Sequence, residues 1–511
     1  MIYSLSSAIM IMERGGIMKK SGKILKNLLI FMLTFIMAFS SMTFAVCNTA
    51  FAAESNSSYI TYNKELYDSK KDLCDRLAEG MKNFSEQIYV GDFHIANKEI
   101  MRYIIKTVIR KHPELFYVDP TKYMLGSDGT YIAVICPIYL YDRQTAQEKI
   151  DAFNAHCDKY LEKIDSSMTE FEKAVVLHDL LILNCKYLDE DGTGHVSAYE
   201  AIVNGNANCQ GYAEAYSYLL AQAGVHSEIV ESSAMYHLWN KVRVNSAYYN
   251  VDLTWDAPMP DKNGHVSHKY FMLSDNAISD GNDDISAHYG FDYAYYKSNN
   301  TKYDNCLFRE FDTQLCFIDN DCYVIDNKYQ SKYERCLLKY NTKNDTAEIV
   351  RKFDFRWKSG ATSYWKGGYM SLDESNGLLY FNSADCIYSY DVAANIMEEF
   401  AQVDTSSGNC YGLRVADGIV YAAVSSNPNV ENIMQYSGKC IENTLVTMPV
   451  VFKGDVNGDG VVNIVDVTEI QKLVAGKGIL TAELLVIADY NNDGIVNILD
   501  ATEIQKVMVA S

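Results

Sequence analysis

The last sixty residues carry an internal duplication that leaves little choice of fold. Residues 454–474 read GDVNGDGVVNIVDVTEIQKLV and residues 488–508 read ADYNNDGIVNILDATEIQKVM, identical at 13 of 21 positions with an offset of 34. In each copy, oxygen-bearing side chains fall at loop positions 1, 3, 5, 9 and 12, with glycine at 6. These are Asp455, Asn457, Asp459, Asn463 and Asp466 around Gly460, then Asp489, Asn491, Asp493, Asn497 and Asp500 around Gly494. A hard cation taking roughly six to eight oxygens needs this alternation, with a backbone carbonyl at position 7, here Val461 and Ile495. Three carboxylates gathered in one loop repel one another until an ion sits among them. Two structural Ca2+ ions are therefore expected, their binding coupled to folding of the segment. One such loop can arise by chance; two in register are strong evidence.

The loops depart from an ordinary EF-hand. Position 12 is Asp rather than Glu, and no helix is evident entering either loop, while a helix (TEIQKLV, TEIQKVM) leaves each. Residues 451–511 resemble a type I dockerin. The resemblance implies an all-α calcium-binding module that docks onto a cohesin module of a scaffoldin, as in the cellulosomes of anaerobic bacteria. The positions through which that family reads its partner are here Ile464, Val465, Gln471 and Lys472, and in the second copy Ile498, Leu499, Gln505 and Lys506. The two sets are nearly identical, so docking in two orientations is expected. Apolar pairs at the first two positions leave the cohesin type open.

The other end reads as an address. Lys19, Lys20, Lys23 and Lys26 precede an apolar run beginning LLIFMLTFIMAF, and Ala50-Phe51-Ala52 offers small residues for cleavage. Residues 1–52 are expected to be a signal peptide, with Met18 as an alternative translation start, and the mature chain to be exported with no membrane span. The formal net charge of -21 repels phosphate backbones, which argues against a nucleic-acid partner. Thirteen cysteines show neither CxxC pairs nor regular spacing, so they do not read as a disulfide framework. Many unpaired thiols in an exported protein suit an anaerobic exterior.

Chemistry concentrates in residues 195–256. NGNANCQGYAEAYSYLLAQAG places Cys209 at the start of a helix that ends at Gly224 and carries Tyr212, Tyr216, Leu219 and Leu220 on one face. The positive end of the helix dipole favours a thiolate there, and the first-turn N–H groups could stabilise an oxyanion. Downstream, MYHLWNKVRVNSAYYNVDLTWD reads as two strands around a turn at Asn245-Ser246. With the turn centred there, Trp239 faces Asp252, and His237 is a diagonal neighbour of Asp252 on the same face. A one-residue slip would separate them. Asp256 shares the face and is the second candidate to orient the imidazole. Trp239 and Trp255 suit either an acyl channel or core packing. His178 reads as a core residue, and His195, His265 and His268 have no patterned partner.

The order Cys, His, Asp within GxxCxGYA, HLWN and VDLTWD resembles the transglutaminase-like superfamily of papain-related cysteine enzymes, over roughly residues 165–275. The resemblance implies Cys209 as nucleophile, His237 as general base and acid, and Asp252 as the residue that orients His237. It also implies acyl transfer through a thioester on protein or peptide amides, released to water or an amine. Leu238 stands where the family commonly has a small residue.

The chain is thus expected to be multidomain: an N-terminal α+β accessory region (53–160), an α+β transglutaminase-like, papain-like core (161–295), a β-rich repeat domain (296–450) and the dockerin. In the third, CLLKYN, CIYSYD and NIMQYS place Tyr340, Tyr390 and Tyr436 at intervals of 50 and 46. That spacing suits propeller-type blades, although three copies are too few to close a ring; an open β domain fits equally. The leading functional reading is a secreted cysteine protease, amidase or acyltransferase plated on a cohesin-bearing scaffold. The alternatives are a non-catalytic protein- or polysaccharide-binding component, and an accessory to polysaccharide breakdown. Direct glycoside cleavage needs two paired carboxylates, and the sequence singles out no such pair.

Overall fold

The computed structural model describes residues 68–188, 196–258, 264–281, 285–291, 296–326, 335–358, 364–366, 368–416, 419–425, 444–449, 453–457, 462–478, 482–491 and 495–510. The expected signal peptide, His195 and Tyr436 lie outside them. No helix among the described residues is long and apolar enough to cross a membrane.

The chain forms two compact units. One comprises residues 68–108 and 118–140. It holds helix α1 (Lys71–Lys82), most of helix α2 (Lys98–Lys111) and a three-stranded sheet of order β1-β3-β2, from β1 (Ile88–Tyr89), β2 (Val118–Ser127) and β3 (Ile132–Tyr139). Leu73, Leu77 and Met81 are buried along α1 as their spacing predicts. Phe84, the next in that series, lies past the helix end with φ 54°, so the apolar period outlasts the helix. The β2–β3 turn is pinned by Asp128 Oδ1, which accepts from the Thr130 and Tyr131 N–H groups.

The second unit contains the motifs. Helices α3 (Arg143–Leu161), α4 (Glu170–Asn184) and α5 (Cys209–Gln222) precede an antiparallel sheet of β6 (Ser227–Ser232), β7 (His237–Val244) and β8 (Ala247–Val251), and the short helices α6 (Leu253–Asp256) and α7 (Asp275–Asp280) follow it. Each helix start has a local cause. Asp142 caps α3, and Thr169 with Glu172 forms a capping box on α4. Helix α5 packs on β6 and β7. Its buried Tyr216 hydroxyl donates to Ala174 O of α4 at 2.8 Å, and Tyr212 donates to Cys185 O.

Beyond residue 300 the chain builds successive antiparallel meanders. Strands β9 (Cys316–Ile318), β10 (Asp321–Asp326), β11 (Arg335–Asn341) and β12 (Thr346–Phe353) form the first, followed by the hairpin β13 (Arg356–Lys358) and β14 (Tyr364–Lys366). A second four-stranded meander holds β15 (Leu372–Ser375), β16 (Leu378–Asn382), β17 (Cys386–Asp391) and β18 (Ile396–Gln402). A three-stranded sheet holds β19 (Asn409–Ala416), β20 (Ile419–Ser425) and β21 (Thr444–Pro449). No sheet among the described residues closes on itself.

The repeat seen in the sequence has a physical basis. Tyr340 and Tyr390 hold the same penultimate place in the third strand of their meanders. Each hydroxyl reaches the residue five further on, Asp345 at 2.8 Å and Asn395 at 2.6 Å, and both acceptors have positive φ. The tyrosine therefore ties off the turn into the fourth strand. The expected boundary at residue 296 does not mark a gap in the apolar core. Val324, Cys336, Leu338 and Tyr340 belong to the same buried cluster as Phe171, Leu181 and Tyr216. Further along, Lys163 pairs with Glu374 at 3.2 Å and Arg414 donates to Leu183 O at 2.7 Å.

At the C-terminus, helices α8 (Ile464–Val474), α9 (Ala482–Ala488) and α10 (Ile498–Ala510) surround a small core of Val456, Val467, Ile470, Ala488, Ala501 and Ile504. Helix α9 runs up to Asp489. A helix does enter the second loop, contrary to the reading of the sequence, because LLVIA is short and apolar and its helical register shows only when Ala488 packs on the other copy.

Candidate active site

Cys209 is the first residue of α5. A close backbone approach puts it there. The strands β4 (Lys186–Tyr187) and β5 (Asn206–Ala207) pair in parallel, with Gly205 at φ 66° between a π-helical turn (Glu200–Asn204) and β5. A Cβ on Gly205 would stand 2.8 Å from Asn184 O, so glycine is needed on both counts. Asn208 then caps α5, its side chain accepting from the Gln210 and Gly211 N–H groups. This narrows the sequence expectation for an oxyanion. Two first-turn donors are already taken, which leaves the Cys209 N–H for the purpose.

The hairpin register is that of a two-residue turn at Asn245 and Ser246, both with positive φ, pairing Val244 with Ala247 and Asn240 with Val251. One step further the register sets Trp239 opposite Asp252, and His237, its diagonal neighbour, reaches the carboxylate with Nε2 to Oδ2 at 2.6 Å. The Cys209 side chain is near enough to the same imidazole to favour its charged form, while Nε2 is on Asp252. Burial opposes charge on His237. The Asp252 carboxylate and the Cys209 side chain outweigh it and push the imidazolium up to about 10. Asp252 is fully buried, which would raise its carboxyl, but His237 and His288 hold it well below the usual carboxylate range. Its Oδ1 also caps helix α6 (Leu253–Asp256), accepting from Thr254 and Trp255 N–H.

Asp256 is not placed to orient His237. Its Oδ2 lies 3.2 Å from His178 Nε2, and its Oδ1 accepts from Ser267 Oγ and Tyr270 N. His178 is buried, its other nitrogen on Asp179 at 2.8 Å. Asp179 also takes His268 Nε2 at 3.0 Å and the Leu315 N–H at 2.9 Å. His268, which has no patterned partner in the sequence, thus has two, with Nδ1 on Phe311 O. His265 Nδ1 meets Asp312 O at 3.1 Å. Every polar atom of the Asp179 cluster has a close partner, as a buried charged network requires. Trp239 is core, its indole N–H on Asn250 Oδ1 at 3.0 Å. Trp255 is half-buried, with its ring 5.6 Å from His237.

The residue that sequence reasoning missed is His288. Its Nε2 lies 2.8 Å from the same Asp252 Oδ2 that accepts from His237. It stands in NDDISAHYGF, 36 residues beyond Asp252, with no periodic or motif signal to mark it.

No disulfide joins any two of the eleven described cysteines. Burial pushes Cys74, Cys157 and Cys410 up to about 12, and Cys306 and Cys386 up to about 11. Glu214, one turn beyond Gln210 on α5, is raised by burial to about 7, against its hydrogen bond from Gln210 and the charge of Arg110. A carboxyl whose folded pKa exceeds its unfolded value loses stability as pH rises between the two. Glu214→Gln should therefore change little at about pH 4 and stabilise by about 1–3 kcal/mol at pH 8. Thermal unfolding at the two pH values measures this; an equal shift at both would refute it.

In the C-terminal repeat, Asp466 is fully buried and accepts from Val456, Asn457 and Asn463 N–H groups; Asp500 likewise accepts from Asn491 and Asn497. Buried position-12 carboxylates among oxygen donors fit a hard cation. Asp455, Asn457, Asn463, Asp489, Asn491, Ile495 and Asn497 also lie in described loop segments, whereas Asp459, Val461 and Asp493 lie outside them. Ile464, Val465, Ile498 and Leu499 are exposed large apolar residues. Gln471, Lys472 and Lys506 are exposed too, and Gln505 is half-buried.

Residues 158–253 match the transglutaminase-like superfamily, a span that contains Cys209, His237 and Asp252. Residues 453–508 match the type I dockerin domain, a calcium-binding module. The chain therefore carries a transglutaminase-like domain and, at its C-terminus, a dockerin. Two similar solved structures are a TGase, at 11% identity, and a proposed cysteine protease from Cytophaga hutchinsonii, at 12%. They cover 28% and 25% of this chain, each with a TM-score of 0.18, and the chain spans about half the length of each (47% and 53%). No curated protein matches significantly.

Proposed function

We propose that the protein is an exported thiol acyl-transfer enzyme acting on protein or peptide amides and held on a scaffoldin by its dockerin. The observation that carries the reading is the line Cys209–His237–Asp252, with one imidazole between a thiol at a helix N-terminus and a buried carboxylate. In this reading Cys209 Sγ attacks the amide carbon, a C–S bond forms, and the carbonyl electrons move onto oxygen near the Cys209 N–H. His237 Nδ1 holds the thiol proton and passes it to the amine as the C–N bond breaks. Water then attacks the thioester, gives its proton to His237, and the C–S bond breaks to restore the thiol. An imidazolium that persists at neutral pH is the electrostatic partner a thiolate needs. Hydrolysis is favoured over cross-linking, because water is abundant and nothing here selects an amine.

The dockerin would hold two Ca2+ ions, one per loop, through the residues named above, and would present Ile464, Val465, Gln471 and Lys472, or their counterparts Ile498, Leu499, Gln505 and Lys506, to a cohesin. The paired geometry supports this. Thr468 donates to Ile464 O and Thr502 to Ile498 O, and Lys472–Glu469 and Lys506–Glu503 both stand at 2.7 Å. The meanders of residues 316–449 would be blade-like units of an open, propeller-related domain. The segment before residue 53 would be a cleaved signal, placing the protein outside the cell.

Alkylation with iodoacetamide tests the enzyme reading without a known substrate. Cys209 should label at about pH 6, where the raised thiols stay silent, and His237→Ala should slow it at least about tenfold. Should Cys209 label no faster than Cys306, or be indifferent to His237→Ala, the reading fails and a binding role takes its place.

A further inference from the structure

We propose that His288 is a positioning residue of the same site, sharing the Asp252 carboxylate with His237 and so setting how tightly that carboxylate holds the reacting imidazole. The inference rests on the catalytic reading above and goes beyond it. A carboxylate offers about four acceptor positions, and Asp252 uses all of them. Oδ1 takes the Thr254 and Trp255 N–H groups at 3.0 and 3.3 Å. Oδ2 takes His237 at 2.6 Å and His288 at 2.8 Å. The carboxylate is fixed in rotation by the two backbone donors, and the charge on its inner oxygen is divided between two imidazoles.

The surrounding structure is built to deliver His288 to that oxygen. The ring is fully buried, with ring centroids of Trp255 at 4.2 Å and Trp239 at 4.9 Å. Its backbone N–H donates to Ile278 O at 2.8 Å. The segment that carries it is stitched to the turn before β7. Ser232 pairs with Phe291 and its hydroxyl donates to Tyr289 O at 2.6 Å. Gly290 has φ 70°, and a Cβ there would stand 2.7 Å from Ala234 Cβ. His288 Nδ1 is buried with no hydrogen-bond partner among the described residues. With Nε2–H on the carboxylate, a proton on Nδ1 would be an N–H with no acceptor among the described residues, which is costly. His288 is thus a one-sided donor, whereas His237 has Asp252 on Nε2 and the Cys209 side chain near its ring, and can relay a proton between them.

The titratable groups facing this pair are Cys209 from α5, Asp252 at the N-cap of α6, and the Tyr270 phenol, itself raised mainly by burial. Asp256, one turn on, is turned to His178. Removing the His288 donor leaves Oδ2 to His237 alone, so the imidazolium is held more tightly and lost at higher pH.

The experiment is the pH profile of Cys209 alkylation in the full chain, for wild type, His237→Ala, His288→Phe and His288→Gln. In the wild type a plateau from the thiolate–imidazolium pair should be followed by a second rise as His237 deprotonates. His288→Phe, aromatic but without a donor, should move that rise up by about half a unit or more. His288→Gln, whose amide can donate to Asp252, should restore the wild-type profile. Near-UV circular dichroism of the indoles packed on His288 checks folding, and His288→Leu carries the comparison if the Phe variant does not fold. A folded donor-less variant whose profile superimposes on wild type, or moves down, overturns the proposal while the catalytic reading stands. A wild type indistinguishable from His237→Ala overturns both.

Discussion

Asp252→Asn should lower amide turnover by about 10³–10⁴-fold and abolish the early alkylation of Cys209, while leaving the chain folded. The side chain has two donor pairs to satisfy: the Thr254 and Trp255 N–H groups on one oxygen, and the His237 and His288 rings on the other. An asparagine has one carbonyl oxygen and one NH2 group for these two sides. Turned to keep the α6 cap, it presents N–H to both imidazoles, and His237 must then carry its proton on Nδ1, toward Cys209. That tautomer cannot take the thiol's proton. Turned the other way it unmakes the cap, at a cost of about 1 kcal/mol. Thermal unfolding separates the two: a loss of alkylation with little change in midpoint is expected. Early alkylation retained in Asp252→Asn would mean that the carboxylate does not orient His237.

Chelation of calcium should melt residues 453–510 and cut cohesin binding by more than about 10³-fold, with Cys209 alkylation unchanged. A segment of roughly sixty residues has little core of its own, here a cluster of six buried apolar side chains among the described residues, drawn from both copies, and chains of this size commonly need a metal or disulfide. Without ions, Asp466 and Asp500 are buried carboxylates among other oxygens, an arrangement that favours the unfolded state. Calorimetric titration of cohesin with and without chelator, beside hydrogen exchange over α8 and α10, reads the two effects. Cohesin binding that survives chelation would overturn the assignment of calcium as structural. Because the copies are near-duplicates, charge introduced at Ile464 and Val465 alone should leave binding largely intact, and at Ile498 and Leu499 as well should remove it.

What could be read from the chain alone was what short-range rules control. Loop oxygens at fixed spacing, a cysteine opening a helix after Asn208, and a two-residue turn that sets the β7–β8 register are each written within about twenty residues of themselves. Alternation along two strands is enough to put His237 and Asp252 on one face, because a side-chain period of two leaves a single register that buries the apolar set. The tyrosine spacing of the β region was legible for the same reason, since it marks a repeated local turn.

Only the tertiary structure decided the rest. His288 reaches Asp252 through a segment whose placement depends on Ser232, Gly290 and Ile278. Asp256 looks like a second orienter on paper, yet it turns away to serve His178, Asp179 and His268, which arrive from α4 and from a loop. The apolar core runs past residue 296 into β10 and β11 because Val324, Cys336, Leu338 and Tyr340 on one face of those strands bury against Phe171 and Leu181. In each case a buried polar or apolar group takes whichever partner the packed chain brings within reach. That proximity is set by contacts far apart in sequence, which leave no period or spacing behind.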